Sequence, residues 1–247
     1  MSIHIGTSGF YYEHWRGVLY PQDLPKSHFF EYYMKMFDTV ELNSTFYHLP
    51  RLKTTEHWAQ MAPENFLFAL KAYRGITHYR KLKETKEDLI RYLHLIKPLK
   101  QKTASILFQL PPSLHLDMDL LKEFLEILPR SWRHTIEFRH ESWMNDDVFN
   151  LLKSYNVAMC INDFEKRTTP FVLTADFGYI RFHGPTGRYG GSYDDGTLEM
   201  WADRIVSAAK DMKEIFVYFN NDFGGFAVQN ALRLRELVYN RDKNGTL

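Results

Sequence analysis

The chain has 247 residues, a length that suits one α/β barrel and falls short of two ordinary domains. Hydrophobic residues make up 45% and charged residues 25%, values that exclude disordered, collagen-like and coiled-coil classes. The 31 Lys plus Arg against 30 Asp plus Glu give a net charge of +1, which argues against a generally basic nucleic-acid coat. Aromatic residues reach 16%, more than packing ordinarily asks for, so part of them is expected to line a binding surface. The one cysteine, Cys160, excludes an internal disulfide and multi-cysteine zinc patterns, and predicts a reducing, cytoplasmic setting. The opening MSIHIGTSGF has no charged leader before a long apolar stretch, so no signal peptide is expected. No apolar run approaches the roughly 20 residues that span a bilayer.

In chain order, short apolar runs rich in β-branched and aromatic residues alternate with stretches of helical spacing. Strands are expected at Ile3–Thr7, Thr39–Asn43, Phe66–Lys71, Ser105–Leu110, His134–Arg139, Val157–Asp163, Tyr179–His183 and Ile215–Asn221. Helices are expected at His28–Phe37, Thr55–Met61, Lys86–Ile96, Leu120–Leu128, Asp147–Tyr155, Thr197–Lys210 and Phe226–Tyr239. The segment EKRTTPFVLTADF after the sixth strand carries a proline and no helical stripe, so one helix is missing or reduced there. Runs that stay apolar on both faces suit a buried parallel sheet. The pattern predicts a TIM (β/α)8 barrel, with a doubly wound open sheet as the alternative. No linker, charge block or repeat divides the chain, so residues 1–247 are expected to form a single domain.

Each strand turns polar toward its C-terminal end, where barrels of this class carry their active sites. Ser8 follows the first strand, Glu41 and Asn43 lie in the second, Lys71 ends the third and Gln109 nears the end of the fourth. Glu137 with Arg139, Arg181 with His183, and Asn220 with Asn221 mark the fifth, seventh and eighth. Strand parity puts Glu41 with Asn43, Glu137 with Arg139 and Arg181 with His183 on one face each, opposite their apolar neighbours. Glu41 and Glu137 are therefore the candidate proton-transfer carboxylates, with His183 as a further acid or base. Lys71, Arg139 and Arg181 would hold an anion, joined by Arg188 in the glycine-rich loop after the seventh strand. Asn43, Gln109 and Asn220 would orient hydroxyls. Rings following the strand ends, among them Trp15, Tyr47 and Trp143, would wall the ligand.

Several blocks in order, IGTSGFYYEHWRG, TVELNSTFYHLP, FALKAYRGITH, LFQLPPS, EFRHESW and YFNNDFGGFAVQNALRL, resemble the signatures of domain-of-unknown-function family 72, the YecE-like proteins. The resemblance runs from Ile3 to about Leu237. It implies a TIM-barrel fold and no particular reaction. Matched residues include Ser8, Trp15, Glu41, Asn43, Tyr47, Lys71, Gln109, Glu137, Arg139, Trp143, Arg181, His183, Tyr218 and Asn220, so Tyr218 joins the expected ligand contacts.

Together these readings predict a hydrolase, isomerase or lyase that uses acid/base chemistry on a small anionic or phosphorylated sugar or nucleotide-like substrate. No cofactor is predicted, and neither a membrane nor a fixed oligomeric state is implied. One alternative is a metal-dependent phosphodiesterase or isomerase that takes a divalent ion on Glu41, Glu137, His183 and Asp163 or Asp222. Glu41 and Glu137 facing across a sugar would make a glycosidase. The other class is a non-catalytic protein binding nucleic acid or a nucleotide through arginines and rings, which near-zero net charge does not favour.

Overall fold

Burial on both faces is what the apolar runs demand, and in the computed structural model they form parallel strands separated by amphipathic helices. The structure describes residues 2–164, 167–187 and 189–243. Strands hydrogen-bond in the order β5-β4-β3-β2-β1-β9-β8-β6-β7, and β5 also pairs with β6. Here β1 is Ser2–Ser8, β2 Thr39–Leu42, β3 Leu67–Lys71, β4 Thr103–Gln109 and β5 His134–Glu137. β6 is Ala158–Phe164, β7 Arg167–Thr168, β8 Phe177–Phe182 and β9 Glu214–Phe219. Leaving aside the two-residue β7, which folds back antiparallel on β6, this is the closed eight-stranded (β/α)8 sheet.

The chain divides into two units. The first comprises residues 1–40, 161–169 and 176–247. Its helices are α1 (Phe29–Met36), α7 (Asp195–Ala209) and α8 (Phe226–Lys243). In it β9 pairs in parallel with β1 and with β8, so Tyr218 stands level with both Gly6 and Arg181. The second comprises residues 41–160 and 170–175. It holds the single turn α2 (Ser44–Tyr47), then α3 (Leu52–Met61), α4 (Lys86–Ile96), α5 (Met118–Ile127) and α6 (Asp146–Tyr155). Its strands β3, β4 and β5 are parallel, with Lys71 opposite Leu107 and Gln109 opposite Glu137.

Helix starts follow their capping residues. Asp117, Asn145 and Asp194 accept backbone N–H bonds from Leu120, Val148 and Thr197, which sets α5, α6 and α7 up to two residues earlier than apolar spacing alone predicts. α6 ends at Asn156, which takes the left-handed conformation (φ 54°) that asparagine tolerates. No helix occupies the described residues between β6 and β8, as the proline-bearing segment predicts. The Thr174 hydroxyl instead donates to Val157 O and accepts from Met159 N, both at 2.7 Å, so side-chain bonds pin this stretch beside the start of β6. Among the described residues, no helix is long and apolar enough to cross a membrane.

Candidate functional site

In the second unit, the carboxyl ends of β3, β4 and β5 carry one connected polar cluster. Glu137, the last residue of β5, is fully buried. Its Oε2 accepts from Gln109 Nε2 at 3.0 Å across the β4–β5 register, and its Oε1 pairs with Arg139 Nη2 at 2.5 Å. Both contacts favour the carboxylate form. Lys71 ends β3 at 9% exposure, with its ammonium 4.3 Å from the centre of the Phe46 ring. The Thr45 hydroxyl on α2 donates to the Lys71 carbonyl at 2.7 Å, which ties that turn to the end of β3. Glu41 on β2 is buried as well. Asn43 follows β2, and its Oδ1 is buried with no hydrogen-bond partner among the described residues.

Sequence reasoning missed two members. Gly75–Tyr79 after β3 winds as a π turn, a rare conformation that recurs at functional sites. It carries His78, and Arg74 immediately precedes it. The His78 pKa is lowered from its ordinary value first by burial and then by the charges of Lys71, Arg139 and Arg74, with Glu137 opposing. Lys71, Arg139 and Arg74 thus lie near enough to His78 to disfavour its protonated form, with Glu137 acting against them. A Cβ on Gly75 would lie 2.3 Å from a Tyr73 ring carbon, so any larger residue at the start of this turn must displace that ring. The available signal was the FALKAYRGITH block, read for its lysine alone.

In the first unit, β8 and β9 supply a second polar set. Arg181 and His183 are fully buried. Asn220 Nδ2 lies 3.2 Å from His183 Nδ1, and Phe164 and Tyr189 each present an edge to the His183 ring at 5.5 Å between centroids. Asn221 donates to Gly191 O and to Asn230 Oδ1, anchoring the glycine-rich loop. Ser8, also buried, ends β1, and its carbonyl accepts from the Tyr12 hydroxyl at 2.8 Å. Asp163 has a raised pKa, chiefly from burial, with the Thr168 and Tyr193 hydroxyls opposing. Arg188 lies outside the described residues.

Three of the expected ligand rings are buried with their polar ends bonded within the protein. Trp143 is fully buried, stacked on Phe138, and donates its indole N–H to Leu114 O at 2.8 Å. Tyr218 is buried inside β9 with its hydroxyl 2.7 Å from that of Thr39. Trp15 is buried and donates to Asp222. Each ring end needs a polar partner when buried, and the protein itself provides it. Tyr47, by contrast, is exposed, with its ring 5.9 Å from the Arg74 guanidinium. Among the described residues, no three His, Cys, Asp or Glu side chains gather as a set able to hold a metal ion.

Polar side chains collected at the carboxyl ends of parallel strands, on a sheet that alternates strand and helix, define a TIM-barrel protein with its chemistry at the strand ends. The chain belongs to the family described as protein of unknown function DUF72, whose model matches residues 4–246. It is similar to the UPF0759 protein YunF of Bacillus subtilis (strain 168), 29% identical over 279 residues that cover 96% of this chain and 94% of that one. The UPF0759 protein YecE of Escherichia coli (strain K12) is 28% identical over 111 residues, 44% of this chain and 41% of that one. Among solved structures, a DUF72 family protein of Thermotoga maritima superposes with a TM-score of 0.87 at 31% identity, covering 97% of this chain and all (100%) of that one. A glycoside hydrolase family 5 enzyme of Prevotella bryantii, at TM-score 0.52 and 11% identity over 95% of each chain, shares the fold alone.

Proposed function

We propose that this protein is an enzyme that acts by acid/base chemistry on a small anionic substrate, a phosphate-bearing sugar or nucleotide-like molecule. The observation that carries the reading is the charge balance around Glu137. Lys71, Arg74 and Arg139 all lower the pKa of the same imidazole, His78. In a partly dehydrated site such fixed cations act more strongly than in water, and an anionic group is the complement they select. Glu137, kept as a carboxylate by Gln109 and Arg139, is the proton acceptor. Lys71 and Arg139 offset negative charge as it develops, and the unpartnered Asn43 Oδ1 is available to a substrate hydroxyl. Glu41 and His183 are the further acid/base candidates. The buried, single Cys160 supports a reducing, cytoplasmic location.

Calorimetric titration with inorganic phosphate and a panel of sugar phosphates at low ionic strength tests the reading. Binding is expected, weakened about tenfold or more in Lys71→Met, since a hydrogen bond to a charged group contributes about 1.5–3 kcal/mol. A turned-over member of the panel should still bind Glu137→Gln while losing about 100-fold or more in kcat. Unchanged phosphate affinity in Lys71→Met would overturn the assignment.

A further inference from the structure

The segment after β9, Asn220–Asn221–Asp222, holds two imidazoles in the first unit, and it fixes the tautomer of each. Asp222 Oδ1 accepts the indole N–H of Trp15 at 2.5 Å. Its Oδ2 lies 2.9 Å from His14 Nε2, and the same nitrogen lies 3.0 Å from the Asp222 backbone oxygen. Both neighbours of Nε2 are acceptors once Asp222 is ionised. A neutral His14 must therefore carry its proton on Nε2 and its lone pair on Nδ1. The His14 side chain is 46% exposed and that of Asp222 is 16% exposed. Among the described residues Nδ1 has no hydrogen-bond partner; the other neighbour of the ring is Tyr12, 5.5 Å away between centroids.

His183 has the complementary arrangement. The atom next to its Nδ1 is an amide nitrogen, Asn220 Nδ2, so Nδ1 accepts and a neutral ring keeps its proton on Nε2. One short segment thus sets one imidazole through an amide donor and the other through a carboxylate acceptor.

We infer that His14 is a second proton acceptor of this protein, which takes a proton at Nδ1 from a water or a substrate hydroxyl, with Asp222 and Trp15 as its positioning residues. On transfer the O–H bond breaks, an N–H bond forms at Nδ1, and the resulting imidazolium is offset by the Asp222 carboxylate. This is the division of labour between base and orienting carboxylate seen in acid/base triads. Trp15, fully buried, fixes the carboxylate rotamer through its indole N–H. The inference goes beyond the anion-site reading, because none of these residues belongs to the Glu137 cluster.

The tautomer is read directly by long-range 1H–15N correlation spectra of the intact protein at pH 7.5, with His14→Gln used to assign the signals. The expected result is the Nε2–H form for His14 in the wild type. Treatment with diethyl pyrocarbonate, followed by mass mapping, should modify His14 about tenfold more slowly in Asp222→Asn, while the remote His28 reacts at an unchanged rate. An Nδ1–H form in the wild type, or equal His14 rates in the two proteins, overturns the inference. The wild-type spectrum decides the matter even where Asp222→Asn does not fold.

Discussion

His134 stands at the start of β5, 3% exposed, with Nε2 bonded to the Pro129 carbonyl at 3.0 Å. Burial lowers its pKa to about 4. The unfolded chain then takes up a proton that the folded one refuses. The stability tied to this group is full above pH 6.5 and is lost as pH falls from 6.5 toward 4, by roughly 3 kcal/mol. Asp222 works in the opposite sense, since burial raises its pKa from the ordinary 3.8 to about 6. Here the folded chain binds the proton more tightly. Stability from this group is full below pH 3.8 and falls as pH rises to about 6, again by roughly 3 kcal/mol. Urea denaturation at pH 4, 5, 6 and 7 separates the two effects. Relative to wild type, His134→Gln should gain stability toward pH 4, and Asp222→Asn should gain it toward pH 7. Differences that stay constant across the four pH values would sink both assignments. At this scale the sequence revealed Glu137, Gln109 and Lys71 because polar side chains interrupt apolar strands at their ends. It did not reveal His78 or Arg74, because nothing local distinguishes a π turn from an ordinary loop.

At the scale of elements, close backbone approach is the constraint that composition hides. Gly6 in β1 passes so near β2 that a Cβ there would lie 2.3 Å from Thr39 O, a backbone atom with little room to give. Gly6→Ala should cost about 1–3 kcal/mol, seen as a lowered Tm, and an unshifted Tm would contradict the strand spacing. Gly75→Ala meets a side chain instead, the Tyr73 ring, so its cost should appear in function rather than in stability. Weaker phosphate binding with a nearly wild-type Tm is the expected pair of results, because the displaced turn carries His78 and adjoins Arg74. A Tm loss as large as that of Gly6→Ala, with phosphate affinity intact, would remove the π turn from the site. Helix positions were legible from apolar spacing to within about three residues at their starts. The shifts of α5, α6 and α7 came from Asp117, Asn145 and Asp194, whose side chains begin the helix ahead of its apolar face, whereas α3 starts three residues early with no side-chain cap.

At the scale of the whole molecule, a net charge of +1 supplies no long-range attraction for a polyanion, in keeping with the small anionic substrate proposed above. Fluorescence anisotropy with a 20-base-pair duplex at about 150 mM salt should show no saturation below roughly 100 µM, near the weak end of non-specific binding. Tight binding with a steep salt dependence would move the ligand class from small molecules to nucleic acid. The order of strand and helix was determined by the sequence itself, since the period of the apolar residues is a local property of the chain, whereas the pairing of β5 with β6 decided for a barrel over the open sheet that the same pattern allows. Parity paired Glu41 with Asn43, Glu137 with Arg139 and Arg181 with His183, but Asn43, Arg139 and His183 lie just past the ends of β2, β5 and β8, where alternation no longer fixes the face. Tertiary structure alone decided what those residues touch. Trp143 and Tyr218 are buried with their polar ends bonded to Leu114 O and Thr39 Oγ1, and His14 meets an aspartate 208 positions away. Burial and hydrogen bonding depend on neighbours brought together by folding, and no local pattern in the chain encodes who those neighbours will be.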